Sequence, residues 1–96
     1  MEKLDSELID FEIRQKNDLL FILNLLQNTK VTKKAMERHM NAWLPFISYS
    51  DCVQFLKYCE TKIEYEDKIL FEKKYLTILD CVNSYIKIKH NMMRYD

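Results

Sequence analysis

A chain of 96 residues has room for one hydrophobic core, and 48% apolar with 31% charged residues is the composition of a folded globule, not of a disordered tail. The absence of glycine and the single proline, Pro45, exclude glycine-rich phosphate loops and most tight hairpin turns. The formal net charge is zero, so nothing points to a general polyanion-binding surface.

Leu4, Leu8 and Phe11 recur at helical spacing and open the chain as an amphipathic helix, capped by Asp5 or Ser6. The pattern resumes at Leu19, Ile22 and Leu26, and Asn17–Asp18 marks either a kink or the start of a second helix. Residues 19–26 are apolar on almost every side, which predicts a helix central to the core. The acidic, amphipathic N-terminus does not have the pattern of a signal peptide, and no apolar run approaches the roughly 20 residues of a membrane span.

Asn28–Val31 reads as a connection and Thr32 as the cap of a helix starting at Lys33. Met36, Met40 and Trp43 fall on one face of that helix; Lys30, Lys34 and Arg38 fall on the other. Pro45 ends or kinks it. Ser50 is the expected cap of the next helix, whose apolar positions are Cys52, Phe55, Leu56, Cys59 and Ile63. Thr61 to Glu64 matches a capping box and marks either a restart or a coincidence within one helix. A long final helix is expected from about Tyr65 to about His90, with Phe71, Tyr75, Ile78, Leu79, Val82, Tyr85 and Ile86 as its apolar face and Ile69 and Leu76 widening it. No segment alternates with a period of two. The fold expected is all-α: a compact bundle of four to five helices spanning residues 1–96 as a single domain, with a long C-terminal helix. Without glycine at the helix ends, Asn28, Asn41 and Asn91 are candidates for left-handed caps.

Charge is segregated along the chain. Residues 1–28 carry net −3, residues 29–50 net +3, residues 51–80 net −2 and residues 81–96 net +2. Complementary packing of neighbouring elements accounts for this, and so does a basic element facing an acidic partner or phosphate. Three cysteines, Cys52, Cys59 and Cys81, match no disulfide framework and predict free thiols in a reducing, cytoplasmic setting. Cys52 and Cys59 are two helical turns apart, about 10 Å, too far to share a metal ion. No metal or cofactor is therefore expected. His39 and His90 lack the neighbours of a Cys–His nucleophile pair, and the carboxylates Glu60, Glu64, Glu66 and Asp67 fit a helix N-terminus. Nothing supports an enzyme. Phe, Tyr, Met, Ile, Asn and Lys total 43 residues against six of Gly, Ala, Arg and Pro, an AT-rich coding bias that fits a phage, a virus or a mobile element.

The order LLFILNLLQN, short turn, TKKAMERHMNAW resembles the paired helices of helix-turn-helix DNA-binding domains. The resemblance implies a recognition helix over residues 32–41, with Lys33, Lys34, Glu37, Arg38 and Asn41 near bases and phosphates. The turn lacks the frequent glycine, and the flanking segments are acidic. The stronger candidate contact surface is Ala42–Ile47, apolar but broken by Pro45, and it reads equally as a core plug at a helix corner. The sequence thus favours a small protein-binding regulator, adaptor or inhibitor that occludes a partner. Trp43 and Phe46 would be its apolar anchors, and Lys30, Lys34 and Arg38 would steer an acidic partner. Self-association through the same surface is compatible with this, and a DNA-binding regulator is the alternative.

Overall fold

The computed structural model describes residues 6–63 and 69–93, with side chains described from residue 71 in the last helix. Five α-helices follow one another: α1 (Ser6–Arg14), α2 (Lys16–Gln27), α3 (Lys33–Trp43), α4 (Tyr49–Thr61) and α5 (Ile69–Met93), with a 3-10 turn at Leu44–Phe46 between α3 and α4. There is no strand among the described residues. α5 is the organising element: α3 and α4 pack along it, α2 closes against it, and α1 lies on α4. The molecule is 21 Å thick along its shortest axis, the depth of about two packed helices.

The break between α1 and α2 falls at Gln15, two residues before the expected Asn17–Asp18. On a straight helix Phe11 and Leu19 would point about 80° apart. The bend at Gln15 lets both bury, at 0% and 4% exposure. α2 is less central than its apolar content predicts: Leu19, Ile22 and Leu26 are buried, but Leu20 and Phe21 remain half exposed. Ser6 is the first helical residue of α1, and Asp5 lies outside the described residues.

Thr32 caps α3 as expected, its hydroxyl accepting from the Ala35 N–H at 3.1 Å. The cap of α4 is Ser48, not Ser50: its hydroxyl accepts from the Asp51 N–H at 3.0 Å, and Ser50 stands within the helix. The Pro45 turn is tight enough that Ile47 returns to the core immediately after it, which brings the next helix forward. α4 ends at Thr61, whose hydroxyl donates back to the Lys57 carbonyl at 2.7 Å. Glu64, Tyr65, Glu66 and Asp67, expected at the start of the last helix, lie outside the described residues, as does the side chain of Ile69. No described residue has positive φ. Asn28 is extended (φ −83°, ψ 111°), while Asn41 and Asn91 are helical, so none of the three is a left-handed cap.

Two side chains of α5 cap other helices instead. Lys74, 0% exposed, donates from Nζ to the carbonyls of Leu25 at 2.6 Å and Asn28 at 2.8 Å, closing the C-terminus of α2. The Tyr75 hydroxyl donates to the Cys59 carbonyl at 2.8 Å near the end of α4. The core between these helices gathers Phe11, Ile22, Leu26, Met36, Met40, Leu44, Cys52, Phe55, Cys59, Ile78 and Val82. Each large apolar side chain buried there contributes about 1.5–3 kcal/mol.

Candidate functional site

α3 divides as its sequence predicts. Met36 and Met40 are fully buried against α5, Lys34 and Arg38 are exposed on the outer side, and Lys33 is exposed at the edge of the cleft facing α5. Lys30 is exposed in the preceding turn, its N–H bonded to the Asn28 side-chain carbonyl at 2.9 Å. None of these four cations has an ion pair among the described residues, where the Arg14–Asp51 contact at 2.6 Å is the ion pair found. Like charges four residues apart cost a helix a few tenths of a kcal/mol each. The spacing of Lys34 and Arg38 within α3 therefore works slightly against the fold, and Lys30 in the preceding turn adds to the charge left on the surface.

The outer stripe continues through the exposed Ala42 to the Pro45 corner. Here the two expected anchors separate. Trp43 is half buried and meets Phe55 edge-on, with ring centroids 4.9 Å apart and planes at 88°, which makes it a packing residue of the core margin. Phe46 is 86% exposed, the most exposed large apolar side chain among the described residues. Leu44 and Ile47 on either side are buried, so the corner is a core plug that presents one phenylalanine outward. Its geometry is held from α5: the Lys89 ammonium donates to the Pro45 carbonyl at 3.1 Å and the Ile47 carbonyl at 2.7 Å.

Beside this corner lies an open groove of about 780 Å³ between the start of α4 and the last turns of α5. Pro45, Tyr49, Tyr85, Ile88, Met92 and Met93 give it its apolar surface, and Lys89 is the one charged residue among the described residues lining it. Ile88, Met92 and Met93 are each half or more exposed. His90 lies close to Tyr49, ring centroids 5.9 Å apart, and holds the end of α5 near α4. The sequence reading ended α5 at about His90. The helix runs one turn further to Met93, and that turn supplies two of the groove's methionines. The signal was present as a stripe: Tyr85, Ile88 and Met92 stand at i, i+3 and i+7.

Other groups are less suited to chemistry. Cys81 is half buried in a polar cleft of about 390 Å³ with Lys33, Glu37, Asn41 and Asp80. Burial pushes its thiol above the ordinary value, and Glu37 and Asp80 push the same way, so it stays protonated and weakly nucleophilic. Cys52 and Cys59 are fully buried, free thiols. His39 packs on Phe21 with ring centroids 4.8 Å apart, and burial holds its pKa below the ordinary value against the opposing pull of Asp18. No group of three metal-ligating side chains occurs among the described residues. No helix among them is long and apolar enough to cross a membrane.

The two helices that resemble a helix-turn-helix pair, α2 and α3, each pack against α5. α3 packs mainly along α5, and Phe21 of α2 meets His39 of α3. Compared with known proteins, the chain matches no family model, no curated protein and no solved structure.

Proposed function

We propose that this chain is a small helical interaction protein that binds a protein partner through Phe46 and the groove beside it, and acts by occluding the partner's surface. The observation that carries this reading is an 86% exposed phenylalanine directly following Pro45, at the rim of an apolar groove that holds, among the described residues, one lysine and no carboxylate. Monomeric proteins rarely leave such clustered apolar surface uncovered, and aromatic and methionine side chains are typical interface anchors. The free cations Lys30, Lys34 and Arg38 lead toward this corner along α3, so an acidic partner is the natural complement. Trp43 supports the site from beneath, through Phe55.

The test is affinity capture from lysate of the cells that express the protein, with nuclease present, using the native chain, Phe46→Asp and Met92→Lys. A stoichiometric protein retained by the native chain and lost from both variants supports the reading. Retention by both variants removes it.

A second reading, nucleic-acid contact by α3, is favoured by its uncompensated cations. It requires salt-dependent DNA affinity that falls when Lys34 and Arg38 are neutralised. Undetectable binding at low salt eliminates it.

A further inference from the structure

The turn that presents Phe46 is gripped from α5 at the peptide groups on either side of that residue. The Lys89 ammonium donates to the Pro45 carbonyl at 3.1 Å and to the Ile47 carbonyl at 2.7 Å. Two bonds made closer along the chain are longer. The Ile47 N–H reaches the Leu44 carbonyl at 3.4 Å, and the Cys52 thiol reaches the same carbonyl at 3.9 Å. A bond stretched past the usual range is weak, whereas a bond from an ionised donor is about twice as strong as a neutral one. Burial of Leu44 and Ile47 fixes where the ends of the turn lie, but not how the peptide planes between them are turned. Phe46 itself, exposed over most of its surface, has little packing of its own to set the direction of its ring. With the carbonyls before and after it both tied to α5, the ring is left projecting into solvent. The last turns of α5 are otherwise open, with Ile88, Met92 and Met93 each half or more exposed.

We infer that Lys89 is the positioning residue of the Phe46 contact: its two bonds hold the peptide groups on both sides of Phe46, so the ring meets a partner already in its bound direction. A contact residue ordered before binding loses less freedom on binding, so the grip raises affinity without Lys89 touching the partner. The inference rests on Phe46 being a contact residue. It adds that the strength of that contact is set from the far end of the chain, by a side chain whose donors are spent within the protein.

The test compares the full native chain with Lys89→Met, Lys89→Arg and Lys87→Met by amide hydrogen exchange, with urea midpoints to account for global stability. Lys89→Met keeps the stem and removes the donors, and Lys89→Arg restores donors. Lys87 is exposed and lies about 160° round α5 from Lys89. Lys87→Met therefore removes the same charge from the same helix end and controls for its effect on the helix dipole. The Ile47 amide should exchange about tenfold faster in Lys89→Met, while the core amides of Ile78 and Val82 change only as far as the urea midpoint requires. Lys89→Arg restores the slow rate, and Lys87→Met never raises it. In affinity capture with nuclease present, Lys89→Met retains about tenfold less of the protein that Phe46→Asp also loses, and Lys89→Arg recovers it. An Ile47 amide that follows the core amides, a failure of Lys89→Arg to restore it, the same loosening in Lys87→Met, or capture by Lys89→Met equal to the native chain each overturns the inference. A partner lost from Phe46→Asp beside an Ile47 amide unmoved by Lys89→Met sinks the positioning role and leaves the interaction reading standing. A loosened Ile47 amide beside a partner that survives Phe46→Asp does the reverse.

Discussion

The ammonium of Lys74 lies 2.6 Å from the carbonyl of Leu25, joining the second turn of the fold's longest helix to the C-terminus of α2. A second bond, to Asn28 at 2.8 Å, makes this lysine a cap supplied from another helix. The last carbonyls of a helix have no partner within it. With no glycine to supply a left-handed cap, α2 obtains its acceptor partners through tertiary structure. Burial pulls the Lys74 pKa down, and the two carbonyls offset the cost of desolvating the charge.

Replacing Lys74 by Met keeps the stem and removes the donors, leaving two carbonyls short of a partner. The expected loss is about 1–3 kcal/mol. For a domain of this size that lowers the melting temperature by about 5–20 °C. Thermal denaturation checks it, and an unchanged midpoint would show that water replaces the ammonium without cost.

Trp43 and Phe46, three residues apart, have opposite expected effects. Trp43→Ala removes the edge-on contact with Phe55 and opens space at the core margin. Because the ring is only half buried, the loss is set below that of a fully buried tryptophan, at about 2–3 kcal/mol. Phe46→Ala removes a side chain that is 86% exposed and changes stability by no more than about 0.5 kcal/mol. Urea titration of both variants checks the contrast, and equal midpoints would mean that Trp43 contributes no packing.

The two anchors could not be told apart from sequence, because Ala42–Ile47 is apolar throughout and its phase is reset by the proline turn. Elsewhere the local signals were strong. The stripe Met36, Met40 and the cap Thr32 placed α3, and Ile78 and Val82 placed α5, because periodicity and capping are short-range properties. Lys74 was illegible: it stands beside Lys73 with nothing local to distinguish a buried cap from an exposed charge. The groove was illegible for the same reason. Pro45 and Tyr49 meet Tyr85, Ile88 and Met92 only through folding, and one surface residue is separated from the next by some 36 positions of chain.

His39 makes stability depend on pH on the acid side. Its Nε2 is buried without a hydrogen-bond partner among the described residues, and its pKa in the folded state lies below the ordinary 6.5. A group with a depressed folded pKa contributes stability that is complete above the unfolded value and lost as pH falls through the folded one. Stability should therefore decline below about pH 6.5, and His39→Phe, which keeps the stacking on Phe21, should flatten that decline. Denaturant midpoints of the two proteins between neutral and mildly acidic pH decide it. Parallel curves would assign the acid sensitivity to other groups.

The cysteines give the alkaline counterpart and a probe of the core. Burial pushes the Cys59 thiol from 9.0 up to about 12, with Glu60 adding to it. A raised folded pKa contributes stability that is complete below the unfolded value and lost as pH rises toward the folded one. The chain should therefore lose stability progressively between pH 9 and about 12, and Cys59→Ala should reduce this loss at the cost of a small cavity, the rest coming from Cys52, Tyr58 and Cys81, whose values burial also raises. The same burial sets an order of reaction with a thiol reagent at neutral pH. Cys81, half buried at a cleft, should label first, and Cys52 and Cys59, both fully enclosed, only as the protein opens. Time-resolved labelling read by peptide mass spectrometry checks the order. Labelling of Cys59 as fast as Cys81 would mean that α4 and α5 separate readily and that the core drawn around Phe55 and Ile78 is not held closed.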